Sequence, residues 1–144
     1  MRVEVYSDQY FLDVVRLIEK FHKEYLTDFF GNTSKDVISE TIERYKTLTF
    51  LLINEKSCIG VLAGVEIKSK LNKERYFQEI IWYVEAPYGR YGFFLIDQVN
   101  QILKSDGFNS IIMSVLESSK TLKIKRIYGR MGFKPMETHY MRSI

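Results

Sequence analysis

The spacing of hydrophobic residues predicts a short strand followed by two helices at the start of the chain. Val3 and Val5 alternate with charged residues, as in a strand with one buried face. From Phe11 to Tyr25 apolar side chains recur every three or four residues, as they do along one face of a helix. A shorter stripe of the same kind runs from Val37 to Tyr45. We therefore expect a β-α-α beginning.

The middle of the chain is typical of an antiparallel meander. The apolar runs Leu48–Ile53 and Cys58–Ile67 are joined by a polar turn at 54–57, which indicates a hairpin. Tyr76–Val84 is rich in aromatic and β-branched residues and predicts the next strand. The segment 86–92 contains one proline and two glycines, so the strand should end there.

The last third predicts two more strands and two more helices. Phe94–Leu103 has helical spacing and stops before Gly107, and Ile111–Val115 predicts a fifth strand. Apolar residues at helical spacing predict a last helix over Ile124–Met131. The alternation of apolar and polar residues predicts a last strand over Met136–Met141. The order β-α-α-β-β-β-α-β-α-β indicates a mixed α/β (α+β) fold.

Composition narrows the class of protein. A chain of 144 residues with 46% hydrophobic and 27% charged positions is expected to fold as one domain, 1–144. The net charge of +3 is spread along the chain, so nucleic acid is not an expected partner. No apolar run approaches the roughly 20 residues that cross a bilayer, and no membrane partner is expected. The single cysteine, Cys58, has apolar neighbours and predicts a buried thiol in a reducing cytoplasm.

Two stretches could carry chemistry. In the first, Gly89 and Gly92 lie between a strand and a helix, where backbone N–H groups can approach a phosphate, and Arg90 adds a positive charge. The alternative is an ordinary turn. In the second, Tyr128 precedes a helix end at Gly132, and the alternative is a core tyrosine on an amphipathic helix. The two histidines have no metal-ligand spacing, so no metal is expected.

In this order, the two stretches resemble the GCN5-related N-acetyltransferase (GNAT) family. The resemblance covers nearly the whole chain and is closer from Glu79 to Phe133. It is greatest to the small acetyltransferase-like proteins of bacteriophages and prophages, which share the strand ending Trp82–Val84 and the ending Glu137–Tyr140. It implies a mostly antiparallel, twisted sheet flanked by about four helices, and a cytoplasmic location, in the host if the protein is phage-encoded.

The resemblance also implies acetyl-CoA as co-substrate. The loop after the fourth strand would hold the pyrophosphate through its N–H groups, and the end of that strand would bind the pantetheine arm. Seven residues before the position of Tyr128, many members carry an asparagine that contacts this arm, and Thr121 stands there in this chain. The implied cofactor-binding residues are Trp82, Tyr83, Val84, Gly89, Arg90, Tyr91, Gly92, Phe93, Phe94 and Thr121.

The implied chemistry is direct attack of a primary amine on the thioester. A general acid must protonate the departing thiolate, and Tyr128 matches the family's tyrosine acid. Glu79 lies where many members hold a glutamate base; the alternative is a solvent-facing strand carboxylate. Glu117 is a second candidate base, or a helix cap. His139, expected on the last strand near the acceptor cleft, is otherwise an ordinary strand histidine.

The loop departs from the family pattern. Gly92 is kept in register, the basic residue is displaced to Arg90, and Phe94 replaces a small residue. If the Phe94 ring points into the core, the backbone amides stay available, whereas a ring pointing at the ligand blocks them.

Two functions therefore remain. The first is an N-acetyltransferase acting on an amine-bearing small molecule, peptide or protein. The alternative is an acetyltransferase-like module, weak or inactive in catalysis, that binds a protein partner. The family often forms homodimers, and the sequence leaves the oligomeric state open.

Overall fold

The computed structural model describes all 144 residues, and the chain divides into two compact units. The first unit comprises Met1–Ser114 and contains the whole sheet. The second comprises Val115–Ile144 and contains one helix. The expectation of one domain stays a prediction.

A five-stranded sheet forms the centre of the first unit. Its strands lie side by side in chain order, and neighbours are antiparallel except for the last pair, which is parallel. The strands are β1 (Arg2–Val5), β2 (Thr49–Asn54), β3 (Ser57–Lys68), β4 (Arg75–Val84) and β5 (Ser110–Ile112). The predicted hairpin and meander are thus confirmed, and β5 is shorter than the predicted strand.

The chain has four helices of ten residues or more, as expected for the mixed α+β class. The predicted first helix is continuous but contains a π-helical turn at His22–Leu26. The helices are α1 (Phe11–Phe21), α2 (Thr27–Phe30), α3 (Lys35–Tyr45), α4 (Gly92–Ser105) and, in the second unit, α5 (Thr121–Arg130). No helix is long and apolar enough to span a membrane.

The sheet is covered on both faces. Tyr83 packs against Phe21 of α1 with ring centroids 6.4 Å apart, whereas Trp82 packs against Phe93 of α4 at 5.5 Å. Because neighbouring strand residues point to opposite faces, α1 and α4 lie on opposite sides of β4. Most of β2 and the first half of β3 are fully buried between these layers, which accounts for their continuous apolar sequence.

A β-bulge interrupts the pairing of β3 with β4. Ala63 lies opposite Ile81 and Gly64 opposite Glu79, so that Ile80 is the extra residue. Gly64 has no room for a side chain, because a Cβ there would stand 2.4 Å from the Phe77 ring and 2.5 Å from the Gln78 carbonyl oxygen. The absence of a side chain at Gly64 allows the two strands to approach at the bulge.

The predicted last strand is wrong. Met136–Met141 forms no strand, and its apolar members are exposed, Tyr140 by 94%. Alternation of apolar and polar residues makes a strand only where a neighbouring strand accepts its backbone hydrogen bonds, and these residues pair with none. His139 is therefore not a strand residue; its Nε2 lies 3.2 Å from the Glu137 carboxylate.

We expect Gly64→Ala to destabilise the protein by about 1–3 kcal/mol, because the new methyl overlaps the Phe77 ring and backbone of β4. Gly129→Ala is the matched control, since nothing lies within 4 Å of a Cβ at that position of α5. Alanine there should be neutral or stabilising by up to about 1 kcal/mol. Urea denaturation measures both, and equal stabilities for the two variants would contradict the close approach at Gly64.

Candidate active site

The pairing between β4 and β5 is short, and this opens one edge of β4. β5 pairs only with Tyr76–Gln78, whereas β4 continues to Val84. From Glu79 onwards the edge of β4 that faces away from β3 has no strand beside it. Backbone groups along such an edge can bind an extended ligand in the way that a further strand would.

Glu79 lies at the point where the two strands separate. One oxygen of its carboxylate accepts a hydrogen bond of 3.0 Å from the backbone N–H of Ser114, just beyond the end of β5. Burial raises the pKa of Glu79 to about 7, although the hydrogen bonds from the backbone and side chain of Ser114 act to lower it. The solvent-facing alternative is therefore wrong, since the carboxyl group is half-buried and bonded. It can change protonation near neutral pH.

The loop that follows β4 is anchored to α1 and β3. The Glu85 carboxylate accepts from Arg16 and, at 2.8 Å, from Lys20, which hold its pKa below the usual value although burial raises it. The Glu85 N–H donates to the Ile59 carbonyl, and the Glu85 carbonyl accepts from the Tyr88 N–H. This anchoring, which the sequence did not predict, fixes the loop on both sides of the cis Ala86–Pro87 bond.

The N-terminus of α4 has no protein partner of negative charge. No side chain caps this helix, and its first turn contains no acidic residue. The Tyr91 and Gly92 N–H groups donate to the Tyr88 and Gly89 carbonyls of the preceding turn. Helix α3 differs, because Ser34 accepts from the Val37 N–H and Asp36 lies in the first turn. A helix N-terminus without an acidic residue beside it presents a partial positive charge to an anion.

The side chains around this N-terminus leave the loop accessible. Gly89 has nothing within 4 Å of a Cβ position, and the exposed Arg90 guanidinium lies over the Tyr91 ring, 4.9 Å from its centre. A Cβ at Gly92 would stand 3.1 Å from the Trp82 ring, so this glycine lets α4 pack against β4. Phe94 is 37% exposed, so protein atoms cover most of its side chain, and the orientation of its ring relative to a ligand stays a prediction.

A second carboxylate contacts β4 from the opposite face. The Tyr83 hydroxyl donates to Glu24 at 2.8 Å, and burial together with this carboxylate raises the pKa of Tyr83. Glu24 lies in the π-helical turn, whose extra residue per turn the helical spacing does not reveal. No sequence signal identified Glu24 or Ser114, because neither belongs to a motif.

The second unit contains the remaining predicted residues. Tyr128 is buried in α5, and its ring lies 5.1 Å from Phe133, while its carbonyl accepts from the Phe133 N–H. The Thr121 hydroxyl is engaged locally, accepting from the Ser118 N–H and lying within hydrogen-bond distance of the Leu116 and Ser118 carbonyls. Glu117 is exposed and lies outside α5, so it does not cap the helix. The catalytic and cofactor-binding roles of these residues stay predictions.

Several acetyltransferases of known structure share this fold over their whole length. A ribosomal-protein-alanine N-acetyltransferase from Brucella melitensis superposes with a TM-score of 0.76 at 10% identity, covering 100% of both chains. AAC(6')-Iy, in complex with the bisubstrate analogue CoA-S-monomethyl-acetylneamine, gives 0.75 at 12% identity, covering 99% of this chain and 97% of that one. Glucosamine-6-phosphate N-acetyltransferase from Arabidopsis thaliana gives 0.71 at 12%, with the same coverage.

Neither a protein-family model nor a curated protein matches the sequence. The structure contains no group of three or more His, Cys, Asp or Glu side chains arranged to hold a metal ion. At 10–12% identity the structural likeness shows the fold. The chain therefore has the fold of the GNAT-type acetyltransferases, as its sequence predicted.

The raised pKa of Glu79 should make stability fall as pH rises. Between its ordinary value of 4.5 and about 7, the folded protein keeps a proton that the unfolded chain has lost. We expect Glu79→Gln, which cannot ionise, to gain about 1–3 kcal/mol relative to the wild type between pH 5 and 8. Urea denaturation at several pH values measures this difference, and parallel stability curves for the two proteins would contradict it.

Proposed function

We propose that the protein is an N-acetyltransferase that transfers the acetyl group of acetyl-CoA to a primary amine by direct attack. The observation that carries the proposal is the position of Glu79, where β4 and β5 separate, with a pKa of about 7. An amine is protonated at neutral pH and must lose a proton before it can attack a thioester. A carboxylate of this pKa can remove that proton near physiological pH.

The loop and α4 supply the features that a CoA pyrophosphate requires. A phosphate group is favoured over a neutral ligand by the positive end of α4, which has no acidic residue in its first turn, by the open Gly89 and by the exposed Arg90. The unpaired edge of β4 offers backbone groups to the amides of the pantetheine arm. AAC(6')-Iy, whose structure contains a CoA-derived analogue, superposes on this chain over nearly its whole length, which supports acetyl-CoA as the donor.

The acceptor is an amine on a small molecule, peptide or protein. The acetyltransferases of similar fold are named for acceptors as different as a ribosomal protein's alanine and glucosamine 6-phosphate. Glu24, held by Tyr83 and exposed to solvent, is a negative charge that suits a cationic acceptor.

Glu79→Gln tests the proposed base. With acetyl-CoA and a panel of primary amines, release of free CoA thiol should proceed in the wild type and rise with pH through about 7. The variant should lose about 10²–10⁴-fold in kcat/KM and also the rising limb near pH 7. Calorimetric titration of CoA serves as the control, because the amide side chain should leave the pyrophosphate loop unchanged. A variant with the wild-type pH profile would show that another group is the base.

Tyr128→Phe tests the proposed acid. The variant keeps the ring that packs on Phe133, so folding should be retained. Without a phenol to protonate the thiolate, kcat should fall by about 10-fold or more, with little change in the affinity for CoA. Phe133→Leu is a matched control for the loss of ring packing alone. Full activity of Tyr128→Phe would remove this residue from the mechanism.

A second candidate is an acetyltransferase-like module that binds a protein partner. The exposed Phe94 ring in the first turn of α4 favours it, because exposed aromatic residues are common in protein interfaces. Calorimetry with CoA separates the two functions. Micromolar binding, about 8 kcal/mol, supports the enzyme, whereas no binding by either heat or thermal shift supports the module.

A further inference from the structure

The starts of β4 and β5 are joined by hydrogen bonds between Arg75, the first residue of β4, and Asn109, the residue just before β5. At this end, Asn109 bonds both backbone groups of Arg75: its side-chain oxygen accepts from the Arg75 N–H at 2.9 Å, and its own N–H donates to the Arg75 carbonyl at 2.9 Å. We call Arg75 and Asn109 the register pair. Parallel pairing begins at the next residue of each strand.

The Arg75 side chain holds the turn before β5 in place. Its guanidinium lies 4.2 Å from the centre of the Phe108 ring and donates to the Asp106 carbonyl at 2.6 Å. It also pairs with the Glu66 carboxylate on β3. Gly107 lies in the left-handed region, with φ of 85°, and a Cβ there would stand 3.2 Å from Arg75. All three residues of the turn 106–108 therefore lie close to the Arg75 side chain.

The register of β5 on β4, set at Arg75 and Asn109, determines which backbone N–H lies beside Glu79 at the far end of the pairing. The register pair and the three paired positions that follow it keep a separation of 34 residues along the chain, ending at Gln78 and Ile112. Glu79 comes next on β4, and its carboxylate accepts from Ser114, two residues beyond Ile112. A slip of one residue would move the Ser114 N–H by about 3.3 Å, out of hydrogen-bond range, and would turn the β5 side chains to the other face.

We propose that Asn109 is a positioning residue for the reaction: by fixing the register of β5 on β4 it holds the Ser114 N–H against the Glu79 carboxylate. Only three residues of β5 pair with β4, so the two hydrogen bonds of the register pair are a large share of the contacts that can set the register. The inference rests on the proposed function for its catalytic consequence only, since the geometry of Glu79 can be measured without turnover.

The test is a titration of Glu79 by carbon-13 NMR in glutamate-labelled protein, with Glu79→Gln to assign the signal. Asn109→Ala should raise the pKa of Glu79 by about half a unit or more, because the hydrogen bonds from Ser114 that favour the charged form weaken. The rising limb of the pH–rate profile should move by the same amount, with the KM for acetyl-CoA unchanged. No charged side chain contributes to the pKa of Glu79, which burial and Ser114 alone perturb.

Two variants complete the test. Asn109→Asp keeps an oxygen for the Arg75 N–H and should restore the wild-type pKa; its added charge lies about 15 Å from Glu79 along the strands and is screened. Asn100→Ala, on the exposed surface of α4, is the control for loss of an amide elsewhere. If Asn109→Ala does not fold, Gly107→Ala disturbs the same turn and should move the pKa in the same direction.

The outcomes separate the two proposals. A lower melting temperature for Asn109→Ala with an unchanged Glu79 pKa would show that Asn109 only stabilises the turn, and would overturn the inference. A shifted pKa in a protein that transfers no acetyl group would keep the inference about register and overturn the proposed function.

Discussion

The early separation of β5 from β4 is the constraint on which the candidate site depends. If the parallel pairing continued past Gln78, the edge of β4 would be filled by β5 and no extended ligand could lie against it. Because the pairing stops at Gln78, the Ser114 N–H has no carbonyl of β4 opposite it and donates instead to the Glu79 side chain. The bulge at Ile80 lies at the same level of the sheet, so both neighbours of β4 change their pairing at one point.

Burial and hydrogen bonding shift the pKa of the Glu79 carboxyl in opposite directions, and the resulting pKa suits a general base. Burial alone would favour the neutral form, and hydrogen bonds from Ser114 favour the charged form. The result, a pKa of about 7, lies where a group can both hold and release a proton at neutral pH. A buried lysine or arginine beside Glu79 would have kept it permanently charged and thus a weaker base.

The sequence predicted most of the fold because local rules decide most of it. The hairpin at 54–57, the end of α4 before Gly107 and the last helix each follow from turn or capping residues next to a clear apolar period. The last strand failed because alternation in Met136–Met141 says nothing about whether a partner strand exists. Resemblance to a family predicts roles for Tyr128 and Glu79, and the glycines predict the loop. The contacts of Ser114 and Asn109 depend on strand register, and therefore on residues distant in the chain.

The fold constrains the proposed binding site for the acetyl donor more than it constrains the site for the acceptor. Acetyltransferases with this fold are named for a ribosomal-protein alanine and a sugar phosphate, so the shared architecture does not decide the acceptor. The proposed function assigns CoA to the N-terminus of α4 and the open edge of β4, which are backbone features and tolerate large changes in sequence. Acceptor choice must instead depend on side chains. Under the proposed function Glu24 is such a side chain: the π-helical turn places it on Tyr83 of β4, and one inserted or deleted residue in that turn would remove it.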